Sequence, residues 1–291
     1  MRLRYANNLR GILALAALLA PLSAQRAYAQ NPDNMMPEER TAKGKQVLDQ
    51  LITALGGPTY LDIRESNCEG RLAQFGHSGE LTGYTPFKVY WRFPDQNRTD
   101  FSKKGVIVNV YNGDQGWTLD RGGVSELSTV AVADFQEQAK RDINNLLRLR
   151  LKEPGMAIRY GGVDVVDLRT VEWVELTDAE QRDFRLAVDR STHFLVRSVV
   201  TLADDTSPDR SVETHIYTNY QLMDGVQTPL QITLDRNGRR INQVFFQSCK
   251  YNPGFSEDFF TKAALDKRFS EVGSKKYKDE KKKDKEAEKD N

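Results

Sequence analysis

Residues 217–251 read YTNYQLMDGVQTPLQITLDRNGRRINQVFFQSCKY. Three extended runs follow one another there, parted by Asp224-Gly225 and Asn237-Gly238. An aspartate or asparagine followed by glycine between alternating runs is a strong hairpin signal. Tight primed turns need positive φ at both central positions, and these residues tolerate it. The stretch therefore predicts a β-meander of long strands, and nothing in it resembles a catalytic loop.

Upstream the strand pattern continues through 162–167, 170–176, 184–189 and 194–202. Phe184, Leu186 and Val188 alternate with Arg185, Ala187 and Asp189, as in a strand buried on one face. Residues 132–151 change to helical period. Val132, Phe135, Ala139, Ile143, Leu146 and Leu147 form an apolar stripe. Lys140, Arg141, Arg148 and Arg150 crowd its later half, at the negative end of the helix dipole, and Pro154-Gly155 ends it.

Further upstream the strand candidates are 60–74, 79–93, 97–103, 106–111 and 116–120. Val106, Val108 and Val110 share one face, while Ile107, Asn109 and Tyr111 share the other. Val89, Trp91 and Phe93 point one way, as do Trp117 and Leu119. Residues 38–55 predict a helix with Val47, Leu48, Leu51, Ile52 and Leu55 on one face, stopped by Gly56-Gly57-Pro58. Downstream, Ser256 is placed to cap a short segment carrying Phe259 and Phe260. The fold class is α+β, mainly antiparallel: a curved, unclosed β-barrel of about ten or more strands with covering helices.

The first 29 residues read as an export signal. Arg2, Arg4 and Arg10 supply the positive start, residues 12–22 the apolar core, and Ala27-Tyr28-Ala29 the cleavage site. The apolar run is too short for a bilayer, which needs about 20 residues. The expectation is a periplasmic chain cut after Ala29, with no transmembrane anchor. Of the 42 basic residues four lie in the signal, which leaves 38 against 41 acidic ones. That balance argues against a nucleic-acid partner. Residues 30–37 are expected to be a flexible lead-in, 38–265 one domain, and 266–291 a charged tail. From Lys275 onward eight lysines meet six acids with almost no apolar residue, the pattern of a disordered or solvated helical segment.

No motif for a nucleophile elbow, a zinc protease, a phosphate loop or a dinucleotide fold is present. His215 and Glu213 share a strand face, but two side chains are too few to hold a metal. Neither enzyme activity, nor a metal, nor a cofactor is expected. Cys68 and Cys249 both lie in strand-like runs; a disulfide and two buried thiols are both open readings. What remains is apolar surface. A curved sheet with an apolar inner face either packs on a helix or leaves a cavity. The lining candidates are Trp91, Phe93, Val108, Val110, Trp117 and Leu119 from the earlier strands. Phe135 and Leu146 come from the helical stripe, and Trp173, Phe184, Leu186 and Val188 from the later strands.

Several short pieces occur in a telling order. A helix ending ALGG is followed by SNCEGRL, PFKVYWRFP, NGDQGWTLD, FRLAVDRSTHFLVR and YTNYQLMDGVQTPLQI. This resembles the periplasmic lipoprotein-carrier superfamily of the LolA/LolB type, especially its outer membrane lipoprotein-sorting members, over roughly residues 38–262. The resemblance implies an unclosed antiparallel sheet, a helical lid and an apolar cavity for lipid or lipoprotein acyl chains. The helix over 132–151 is then the lid, and Arg148 or Arg150 can meet an anionic head group. The family's characteristic arginine has no assignable position here, and the lysine-rich tail is foreign to the pattern. The alternative is a regulatory or scaffold module that binds an envelope protein on the same fold. An unrecognised hydrolase would need His193 or His215 beside a serine and a carboxylate.

Overall fold

Thirteen antiparallel strands make a single sheet in the computed structural model, which describes residues 31–101, 107–204 and 207–271. The export signal and the charged tail beyond 271 lie outside the described residues. The first half-sheet holds β1 (Glu65–Phe75), β2 (Leu81–Arg92), β3 (Gln96–Phe101), β4 (Ile107–Asn112), β5 (Gln115–Asp120) and β6 (Gly123–Glu126). The second holds β7 (Ala157–Val166), β8 (Arg169–Thr177), β9 (Asp183–Asp189), β10 (Leu195–Asp204), β11 (Ser207–Met223), β12 (Val226–Arg236) and β13 (Arg239–Tyr251). The order across the sheet is β6-β5-β4-β3-β2-β1-β13-β12-β11-β10-β9-β8-β7. β6 and β7 are the edges, so the curved sheet stays unclosed, a half-barrel.

The meander of residues 217–251 is the end of β11, which starts earlier than the expected run, at Ser207, together with β12 and β13. Its turns have the left-handed backbone that the Asx-Gly pairs predict: Asp224 and Gly225 at φ 47° and 81°, Asn237 and Gly238 at 51° and 75°. The two half-sheets meet where β1 pairs with β13. Cys68 faces Cys249 across that seam, with Cα atoms 4.1 Å apart, and a disulfide joins them.

Among the described residues five helices accompany the sheet: α1 (Pro37–Leu55), α2 (Pro58–Leu61), α3 (Thr129–Arg141), α4 (Ile143–Arg148) and α5 (262–271). α1 lies on β7, β8 and β12. Gly44 permits this approach, because a Cβ there would meet the Arg159 carbonyl carbon at 3.0 Å. Beneath α1 the main core gathers Val47, Leu48 and Leu51 with Phe184, Leu186 and Val188. Burial of this apolar face, rather than helix propensity, holds α1 in place.

Four local expectations are corrected. The helix over 132–151 is two helices. Asp142 adopts ψ 129° and ends α3, and its side chain accepts from the Asn144 and Asn145 N–H groups to start α4. The first strand begins at Glu65, because Pro58 starts a helical turn rather than a strand. β6 forms where no strand was expected. Ser256 does not cap the 3-10 turn Glu257–Phe260; its hydroxyl donates to the Asp258 carboxylate instead. That turn and α5 pack on the outer face of the first half-sheet. Phe260 and Leu265 are fully buried against Val108, Val110, Trp117 and Leu119.

Candidate functional site

The inner face of the sheet around the seam does not fill completely. Ser66 and Cys68 of β1 and Val89 and Trp91 of β2 alternate onto this face, paired Ser66 with Trp91 and Cys68 with Val89. Tyr217 and Tyr220 of β11, Thr228 and Ile232 of β12, and Phe246 and Tyr251 of β13 continue the wall. The roof is Leu55 at the end of α1, Tyr60 of α2, and Ile143, Leu147 and Arg148 of α4. Between wall and roof is a cleft of about 180 Å³. That is room for about six waters at roughly 30 Å³ each.

Four tyrosines line the cleft, and each hydroxyl is occupied within the protein. Tyr60 donates to Asn144 Oδ1 at 3.3 Å, and Tyr220 to the Leu195 carbonyl at 2.8 Å. The Tyr217 hydroxyl lies 3.0 Å from Ser198 Oγ, and that of Tyr251 2.7 Å from Thr228 Oγ1. Burial pushes all four phenols up from their ordinary pKa, so they stay neutral. The cleft therefore meets ring faces more than polar tips. A row of stacked rings leads away from it. Phe93 stacks on Trp91 at 5.6 Å, Trp91 on Phe135 at 5.7 Å, and Phe135 on Tyr111 at 4.1 Å.

The polar exceptions are the Asp142 carboxylate, the Asn144 and Gln227 amides and, chiefly, Arg148. It ends α4, is 7 % exposed, and lies over the Phe93 ring at 3.9 Å and the Tyr60 ring at 5.7 Å. Its Nη1 donates to the Ile63 carbonyl, whereas Nε and Nη2 find no partner. Burial pulls its pKa below the ordinary arginine value, and Tyr60 and Asp142 oppose that.

The structure gathers only some of the expected lining residues here. Trp91, Phe93 and Arg148 line the cleft, and Phe135 backs Trp91. Leu146, Phe184, Leu186 and Val188 belong to the filled core beside it. Val108, Val110, Trp117 and Leu119 point to the other face, under Phe260 and Leu265. On β4 it is Tyr111 that turns inward, to Phe135. Trp173 joins a separate outer cluster with Val171 and Ala187, and its Nε1 donates to Asp164 Oδ2 at 3.2 Å. Arg150 is not among the residues lining the cleft: its side chain is held by Glu153 and Asp178, both at 3.0 Å, and by the Lys140 carbonyl at 2.6 Å.

The residues that sequence reasoning missed are Tyr60, Tyr217, Tyr220, Ile232 and Tyr251. Strand parity counted outward from Cys68 and Cys249 would have found Tyr217 and Tyr251, once those cysteines were known to face each other. Among the described residues, no group of three or more His, Cys, Asp or Glu side chains could hold a metal. No helix among them is long and apolar enough to cross a membrane.

No family model and no curated protein matches the sequence. Solved structures do match it. A DUF1329 family protein from Desulfovibrio piger superposes with a TM-score of 0.56 at 14% identity, over 78% of this chain and 99% of that one. A domain from Vibrio parahaemolyticus named for outer membrane lipoprotein sorting gives 0.51 at 10% identity, over 78% and 99%. A LolA superfamily protein from Nitrosomonas europaea gives 0.49 at 13% identity, over 76% and 99%. At such identities the likeness is one of fold: the first two share the unclosed antiparallel half-barrel that the sequence resemblance implied.

Proposed function

We propose that this LolA-type half-barrel is a periplasmic carrier that holds the acyl chains of a lipid or lipoprotein in the cleft between sheet and α4. The observation that carries the reading is the cleft itself, walled mainly by aromatic and aliphatic side chains, with its tyrosine hydroxyls already bonded within the protein. An apolar chain entering it leaves water at a gain of about 0.8 kcal/mol per methylene, and no protein hydrogen bond has to break. The export signal read in residues 1–29 supports the compartment. The fold shared with the lipoprotein-sorting domain supports the class of cargo.

A carrier must also let go. The roof is a short helix hinged at Asp142 and tied down by Asn145, whose Nδ2 donates to the Pro94 and Ala139 carbonyls. Lifting α4 breaks these hydrogen bonds and draws Leu146 and Leu147 out of the main core, so release has a barrier to cross. The test is native mass spectrometry of the protein purified from the periplasm, followed by lipid extraction. Bound lipid that leaves on denaturation is the expected result. Absence of lipid, together with no binding of an apolar fluorescent probe, overturns the reading. A stoichiometric protein in place of lipid points to the regulatory module instead.

A further inference from the structure

Three arginines are buried among the described residues: Arg98, Arg148 and Arg150. Arg98 holds Asp100 at 2.8 Å, and Arg150 holds Asp178 at 3.0 Å. Arg148 holds no carboxylate. The acid whose field reaches it, Asp142, accepts from the Asn144 and Asn145 N–H groups with Oδ1. A buried cation without its anion is costly and is rarely kept without a role.

The two unpartnered nitrogens of Arg148 are Nε and Nη2. They share one edge of the planar guanidinium and point their N–H groups the same way. That edge is the fork that grips a carboxylate. The same edge does so elsewhere in this molecule, where Arg98 Nε and Nη2 reach Asp100 Oδ1 and Oδ2 at 2.8 and 3.4 Å. In Arg148 the opposite corner, Nη1, is tied to the Ile63 carbonyl, and Phe93 covers the face, which fixes the plane of the group. Arg148 lines the cleft together with Asp142, and its free edge lies just beneath the cleft surface, where a head group reaches it by displacing the side chains above.

From this, and resting on the reading of the cleft as an acyl-chain site, we propose that the ligand is an amphiphile with a free carboxylate head, a fatty acid or acyl carboxylate, whose head is seated on the Nε/Nη2 edge of Arg148. Its tail runs along Phe93 and Trp91 towards Val226 and Ile232. A planar head with two oxygens matches two parallel donors. A phosphate head brings more oxygens than the edge can serve, and the surrounding tyrosine hydroxyls are already occupied.

The test is calorimetric titration of delipidated mature protein with dodecanoate, dodecanol and dodecyl phosphate above neutral pH. Wild type is expected to bind dodecanoate about tenfold or more tighter than dodecanol, the size of one charge-assisted hydrogen-bonded pair. Arg148→Gln is expected to bind acid and alcohol alike. Arg148→Lys, which keeps the charge and loses the fork, is expected to retain only part of the preference. Dodecanol binding wild type as well as dodecanoate, or dodecyl phosphate binding more tightly, overturns the carboxylate head and leaves the acyl-chain cleft standing. Failure of all three to bind takes the cleft reading down as well. The wild-type comparison decides even where a variant fails to fold.

Discussion

Leu168 occupies the second central position of the β7–β8 turn at φ 64° and is 99 % exposed. Its neighbour Asp167, at φ 49°, completes a primed turn of the same kind as Asp224-Gly225. A branched aliphatic residue in left-handed backbone costs roughly 1–2 kcal/mol, and glycine avoids most of that. Leu168→Gly is expected to raise stability by about 1 kcal/mol, read as a higher urea midpoint at unchanged slope. His215 gives a pH dependence. Burial lowers its pKa below 6.5, against Glu213 and Asp142, which raise it, and with Arg141, which lowers it further. The unfolded chain then takes a proton near pH 6.5 that the folded chain takes only at lower pH. Stability is full above 6.5 and is expected to fall as pH drops through that value towards the folded pKa. Melting curves between pH 8 and pH 5 check this, and His215→Phe should flatten the decline.

At the scale of elements, the hairpins were readable and the faces were not. Asx-Gly pairs and alternation are local signals, and they placed β12 and β13 closely, whereas β11 begins at Ser207, ten residues before the expected run. Which face of β4 looks inward is not local. Val108 and Val110 form the more apolar face, but Phe260 and Leu265, some 150 residues later, cover it from outside. The break at Asp142 hid for a similar reason. Phe135, Ile143 and Leu147 keep a helical phase across it, so the stripe looked continuous. Asp142→Ala is expected to cost about 1 kcal/mol for the lost cap. Because α4 carries Leu147 and Arg148, it should also weaken binding of an apolar probe. Gly44→Leu is expected to push α1 off β7 and destabilise by about 1–3 kcal/mol, measured by thermal unfolding. Ile232→Trp should leave the fold intact by circular dichroism and abolish probe binding, since the ring would occupy the cleft.

For the whole molecule the seam matters most. The disulfide closes a sequence separation of 181 residues. The chain-entropy account gives a link of that span a stabilisation of roughly 5 kcal/mol. Cys68→Ser with Cys249→Ser is expected to lose a large part of it, read by denaturant unfolding beside wild type under oxidising and reducing conditions. Sequence spacing could not say that β1 and β13 are neighbours, because no periodicity encodes a pairing between residues so far apart. That pairing also sets the order in which the chain can assemble. Every other strand pair joins neighbours in sequence and can zip as soon as both strands exist. β1 instead waits, its ladder open along one side, until the last strand has been made. During that interval it is a free sheet edge, able to recruit any extended chain that passes. The hazard of this fold therefore lies in timing, and a slow or truncated synthesis would aggregate through its earliest strand.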